Sequence, residues 1–138
     1  MSQYSTKSSP TPTRSPKIEG GCFCGKIRFQ IDGEIRKVLN CHCSMCRRTS
    51  GAPFVSWLLV PIKNFSYLSE EPKHLQSSEL GERWFCDNCG TPIACIVHSD
   101  KAPDKKPKYI DITLGSLDEP GVFVPDGDFH EDTKLKWL

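Results

Sequence analysis

Seven of the eight cysteines in this 138-residue chain fall into three tight clusters. These are Cys22-Phe-Cys24, Cys41-His-Cys43-Ser-Met-Cys46 and Cys86-Asp-Asn-Cys89, while Cys95 stands alone. Two thiols one or two residues apart can point the same way from a strand end or a tight turn. Their sulfurs then sit at the separation that tetrahedral zinc with ~2.3 Å Zn–S bonds requires. Gly25 and Gly90 lie directly after the first and third clusters, where a closely folded metal loop needs a permissive backbone. The chemistry expected of these thiols is zinc binding, with two zinc ions per chain shared among the seven clustered cysteines.

Spacing alone leaves the partition open. Sixteen residues separate Cys24 from Cys41, so Cys22, Cys24, Cys41 and Cys43 could share one metal. The alternative pairs Cys22 and Cys24 with Cys86 and Cys89, leaving Cys41, Cys43 and Cys46 as a three-thiolate site. The difference is chemical, because four protein thiolates close a zinc off whereas three leave a position for water or substrate. Cys95 alternates with Ile93 and Val97, which reads as a buried core thiol and not a ligand.

The elements that must position these thiols are short and strand-like. Residues 26–31 alternate polar and apolar ahead of an Asp32-Gly33 turn signal, and Ile35 to Leu39 reads as the return strand of a hairpin. Phe54 to Val60 is an apolar run suited to a strand covered on both faces. Strands are also expected at Phe65–Leu68, at Arg83–Phe85 leading into a cysteine pair, at Ile93–Val97 and at Tyr109–Leu114. No segment keeps a helical period for ten residues, so the expectation is a mainly β fold with one short helical turn after Cys43. Trp84, Trp137 and Phe54 read as packing residues, and Phe23 and Phe85 as shields against water beside the metal ligands.

Residues 1–17 are rich in Ser, Thr and Pro and hold no acidic residue, which reads as a disordered tail ahead of one zinc-binding domain over 18–138. Its three prolines spoil the helix that a mitochondrial presequence would need. Lys plus Arg number 18 against 17 Asp plus Glu, so a protein that grips nucleic acid by neutralising phosphates is not expected. Neither a signal-peptide core nor a membrane-spanning run is evident. Reduced thiols in the cytoplasm follow as the expectation, while oligomeric state is not legible.

The strings GGCFCGKIRF, CHCSMCRRTSGAPF and FCDNCGTPI, in this order, resemble the glutathione-dependent formaldehyde-activating enzyme family, which includes centromere protein V. The likeness runs from Gly20 to about Leu138 and takes in GSLDEP at 115–120 and the stretch from His130 to Trp137. It implies the Mss4-like fold, a tent-like arrangement of twisted β-sheets stabilised by zinc. It further implies a structural tetrathiolate of Cys22, Cys24, Cys86 and Cys89, and an open zinc on Cys41, Cys43 and Cys46. Family members carry more chain beyond the position of Trp137, so a segment closing the site is expected to be missing.

The activity the resemblance implies is a carbon–sulfur lyase reaction, adding the glutathione thiol to formaldehyde to give S-hydroxymethylglutathione. A free thiol of pKa ~8.5 is mostly protonated near neutrality, and coordination to zinc deprotonates it. Three thiolates make a poor Lewis acid, so zinc is expected to position and deprotonate glutathione and not to polarise the aldehyde. Arg47 and Arg48, directly after Cys46, are candidates to meet the glutathione carboxylates. His42, inside Cys-x-Cys, should point away from the metal. His130 is a candidate general base if the chain folds back over the site. Two other readings are a non-catalytic zinc-stabilised binding module and a glutathione carrier. Retention of the three-thiol cluster speaks against a mere scaffold, which needs only the closed tetrathiolate.

Overall fold

The computed structural model describes residues 17–98 and 106–138. The polar tail apart from Lys17, and the middle of the lysine-rich loop after His98, lie outside the described residues. The elements in order are β1 (Ile18–Gly21), β2 (Arg28–Ile31), β3 (Lys37–Cys41), α1 (Ser44–Ser50), β4 (Val55–Pro61), β5 (Phe65–Tyr67), β6 (Lys73–Gln76), β7 (Gly81–Phe85), β8 (Pro92–Val97), β9 (Tyr109–Thr113) and β10 (Asp128–Phe129). They build a three-stranded sheet, β1-β2-β5, and a seven-stranded sheet, β10-β3-β4-β9-β8-β7-β6. β10 runs parallel to β3, and the other pairings are antiparallel. The chain is thus mainly β, as its short alternating segments require, with one helix of seven residues among those described.

The expected hairpin of β2 with the Ile35–Leu39 segment does not form. β2 is bordered by β1 and β5, whereas the following strand lies at 37–41 in the other sheet between β4 and β10. Both edges of β2 are already paired, so it has no ladder left to offer. The connecting segment instead crosses between sheets, with Asp32 N donating to Asn64 O at 2.8 Å and Arg36 N to Leu59 O at 2.8 Å.

Alternation along β4 divides the molecule. Leu58 and Val60 point into the main core with Phe29, Ile31, Ile110 and Ile112. Trp57, with Val55 and Leu59, points to the opposite face, where Cys41, Cys46 and Cys95 collect. Each fully buried side chain of the main core contributes ~1.5–3 kcal/mol. No helix among the described residues is long and apolar enough to cross a membrane. Two packing expectations fail. Phe23 at the tip of the first cysteine turn is 93% exposed and Trp137 is 71% exposed, so neither shields anything. Phe23 sits between two ligand-bearing positions whose side chains turn inward, which forces its own outward.

The two sheets also meet where β1 passes the segment after β9. Gly20 bridges Leu117, Asp118 N donates to Glu19 O at 2.9 Å, and Arg28 grips the Asp118 carboxylate with two bonds of 3.0 and 2.6 Å. A Cβ on Gly20 would stand 2.5 Å from the Ser116 carbonyl oxygen and 2.9 Å from Leu117 Cα, both backbone atoms that cannot swing aside. Gly20→Ala should therefore cost about 1–3 kcal/mol in a urea titration of the metal-loaded protein. Gly115→Ala, where a Cβ meets nothing within 4 Å, should stay within about 0.5 kcal/mol.

Two candidate metal centres and the cavity beside the second

The first centre is assembled from two turns that copy one another. After β1 the chain folds so that Cys22 N donates to Ile27 O at 3.0 Å; after β7, Cys86 N donates to Thr91 O at 3.0 Å. Each turn closes through a glycine in the left-handed region, Gly25 and Gly90, both at φ 85°, which any side chain would strain. The Phe23 amide donates to Thr91 Oγ1 at 3.0 Å and ties the turns together.

The sulfurs of Cys22, Cys24, Cys86 and Cys89 all lie within 4.8 Å of one another. The Cys22–Cys24 and Cys24–Cys86 separations are 3.6 and 3.8 Å. Four sulfurs at ~2.3 Å from a tetrahedral zinc stand about 3.8 Å apart, so the donor set fits. Donors also converge on the sulfurs. Ile27 N reaches Cys22 at 3.2 Å, the Asn88 side-chain amide reaches Cys24 at 3.2 Å, and Asn88 N and Cys89 N each reach Cys86 at 3.4 Å. Such donors stabilise thiolates, the form that binds metal. The Thr91 hydroxyl holds the Cys89 thiol down to about 5, whereas burial pushes Cys86 up to about 11.

Cys41, Cys43 and Cys46 form the second cluster, their sulfurs again within 4.8 Å. Cys41 ends β3. Cys43 caps α1, its sulfur accepting from Cys46 N at 3.3 Å, and Cys46 lies one turn inside the helix. A helix of this length is marginal alone, and it is stopped by Gly51 in the left-handed region at φ 71°.

Arg83, on β7, closes the cluster from the side. The residue is 9% exposed, and its guanidinium reaches Cys46 Sγ from Nη2 at 3.6 Å and Nη1 at 3.7 Å. It is fixed by Thr49 Oγ1 at 3.2 Å and Ser77 Oγ at 3.3 Å. Cys41 donates to Cys46, and that bond together with Arg83 holds Cys46 down to about 5 against the cost of burial. Cys41 is pushed up correspondingly.

A cavity of about 180 Å³ opens beside the three sulfurs, walled by Leu39, Met45, Trp57, Leu59, Val97 and Phe129. Arg83, Cys95, Asp111 and His130 also reach it. Register explains their company, since Arg83 opposes Cys95, Cys95 opposes Asp111, and Asp111 opposes Leu59 across β7, β8, β9 and β4. Cys95 is buried, yet on this wall and outside the main core, and burial raises its thiol to about 11. Burial also pushes Asp111 up to about 7, with negative charge on Cys46 adding and Arg83 opposing.

Other residues singled out in the sequence are placed differently. His42 is 2% exposed and turned from the cluster, its Nε2 on Asp128 Oδ1 at 2.8 Å and its ring against Phe54. Arg47 is half-buried and Arg48 exposed on the last turn of α1, and neither lines the cavity. His130 does line it, carried there by Phe129 and held at φ 58°. Sequence reasoning missed Arg83 and Asp111 as site residues. The available signal was a charge inside an otherwise apolar strand, Arg-Trp-Phe and Ile-Asp-Ile, which reads equally well as a solvent-facing position.

The family model for the glutathione-dependent formaldehyde-activating enzyme matches residues 17–133. The chain belongs to this family. A Schizosaccharomyces pombe protein named an uncharacterized lyase is 33% identical over 88 residues, 64% of each chain. A Halomonas elongata protein, provisionally named a glutathione-dependent formaldehyde-activating enzyme, is 29% identical over 55% of this chain and 54% of its own. The chain thus spans between about half and two thirds of these curated relatives. Among solved structures, a crystal structure of a Rhodobacter sphaeroides protein superposes with a TM-score of 0.58 at 17% identity, over 80% of this chain and 98% of that one, and so shares the fold.

Two sets of variants test the division of the thiols. Cys86→Ser should unfold the domain if a metal ion on the four sulfurs holds the two turns together, and circular dichroism would show it. Cys46→Ser should leave the fold intact and lower zinc content, measured by plasma mass spectrometry, by one ion per chain; equal loss of fold in both would refute the division. Arg83→Met should weaken retention of one metal about 10- to 100-fold in chelator competition and leave the other unchanged.

Proposed function

We propose that the protein is a zinc-dependent carbon–sulfur lyase that makes and breaks the adduct of glutathione, or a related small thiol, with formaldehyde. The observation that carries this reading is the asymmetry of the two clusters. One has four sulfurs enclosed between two turns, whereas the other has three sulfurs beside a cavity. A zinc ion held by three thiolates keeps a position open, and there it would lower the pKa of an incoming thiol.

The residues of the chain do the rest. Cys41, Cys43 and Cys46 supply the three thiolates, and Arg83 offsets part of their negative charge from a buried position. The cavity is smaller than the roughly 300–1,000 Å³ of pockets that enclose whole ligands. It suits the reacting sulfur and a small aldehyde, leaving the rest of a tripeptide outside. Arg47 and Arg48 on the last turn of α1 are the proposed partners for its carboxylates. A reducing compartment such as the cytoplasm keeps the thiols available.

Formaldehyde–glutathione exchange followed by NMR, with zinc-loaded protein and with Cys46→Ser, tests the proposal. Acceleration by the parent chain that disappears in the variant is the expected outcome. No acceleration from a chain confirmed to hold two zinc ions would sink the lyase reading and favour a carrier or binding module.

A further inference from the structure

Adding a thiol to an aldehyde forms a C–S bond, breaks the C=O π bond and moves one proton from sulfur to oxygen. The lyase reading, on which this inference rests, names no group for that proton. His42 is unsuitable, because it faces away from the cavity and its Nε2 is engaged by Asp128. His130 reaches the cavity but is exposed, so water competes for its ring.

Asp111 is placed differently. It stands in the middle of the site face, with Cys95 directly opposite on β8 and Leu59 directly opposite on β4. Its carboxylate looks into the same cavity as the three clustered thiols. The most obvious partner, Arg83, spends its donors on Cys46, Thr49 and Ser77 and forms no ion pair with it. Asp111 is partly buried beside Trp57 and Leu59 and has no hydrogen bond or ion pair among the described residues, a position where a leucine would pack without desolvating a charge. The groups that face it are Cys46 from α1, Arg83 from β7 and Cys95 from β8, with His130 lining the same cavity.

We propose that Asp111 is the proton carrier of the reaction. As a carboxylate it accepts the proton shed by the entering thiol. As the acid it returns that proton to the aldehyde oxygen while the C–S bond forms, so the enzyme ends as it began. In reverse it takes the hydroxyl proton of the adduct and hands it to the departing sulfur.

Asp111→Asn keeps the shape and removes the proton affinity. Its kcat for formaldehyde–glutathione exchange should fall on the order of 100-fold, with KM changed by less than about 3-fold and both zinc ions retained. An independent readout needs no turnover. Glutathione binding to the zinc-loaded parent in weakly buffered solution at pH 7, followed with an indicator dye, should release about half a proton fewer per chain than binding to Asp111→Asn. An Asp111→Asn kcat within about 3-fold of the parent, or equal proton release in the two proteins, would overturn the assignment to Asp111 while leaving the lyase reading intact. A parent chain that fails to accelerate the exchange would overturn both. Should Asp111→Asn fail to fold, full release of the thiol proton to solvent by the parent alone would overturn the assignment.

Discussion

Cys22 and Cys24 leave the end of β1, Cys86 and Cys89 leave the end of β7, and the two turns meet with four sulfurs inside 4.8 Å. β1 belongs to the three-stranded sheet and β7 to the seven-stranded one, so this contact joins the two layers of the fold. Two thiolates 3.8 Å apart repel by about 4 kcal/mol at an effective dielectric of 20. Four ionised sulfurs therefore cannot share that space without a cation among them. With zinc bound as proposed, repulsion becomes a clamp, and Cys22 and Cys86 enter the main core as the buried ends of both sheets. Arg28 on Asp118 and Lys26 on Asp87 flank the clamp, but these partly exposed pairs contribute little by comparison.

The second constraint is the two-residue period of a strand. β4 shows the main core Leu58 and Val60 and shows the site Val55, Trp57 and Leu59. β9 does the same with Ile110 and Ile112 on one side and Asp111 on the other. One sheet thereby serves as the wall of a core and as the floor of a site. The core side tolerates only apolar groups, so polar chemistry gathers on the other face. There Arg83 stands near three thiols that need positive charge, and its buried guanidinium is compensated by the thiolate it touches.

The C-terminal part of the chain completes that face. Asn40 N donates to Gly127 O, His42 N donates to Phe129 O, and Thr133 Oγ1 donates to His42 O at 2.8 Å. These bonds, with His42 on Asp128, fasten residues 127–133 along β3 beside Cys41 and Cys43. His42 is therefore occupied by structure even though it sits between two cluster cysteines. Its ring lies on the side of the strand opposite its neighbours, which is why it secures the C-terminal segment and does not join the cluster.

The sequence by itself determined the β class, the strands at 28–31, 55–61 and 92–97, the short helix after Cys43 and the presence of thiols for two metals. These are local properties: alternation, turn residues and Cys-x-Cys or Cys-x-x-Cys spacing act over a few residues. Which clusters come together was beyond local rules, because sixteen residues between Cys24 and Cys41 suit one partition as well as the sixty-one between Cys24 and Cys86 suit the other. The strand after β2 misled for the same reason, since a turn signal says that the chain reverses and not which sheet it joins. Arg83 and Asp111 became visible only once β7, β8, β9 and β4 were set in register. A charged residue on an alternating strand names a face, and only tertiary structure decides whether that face meets water or a row of cysteines.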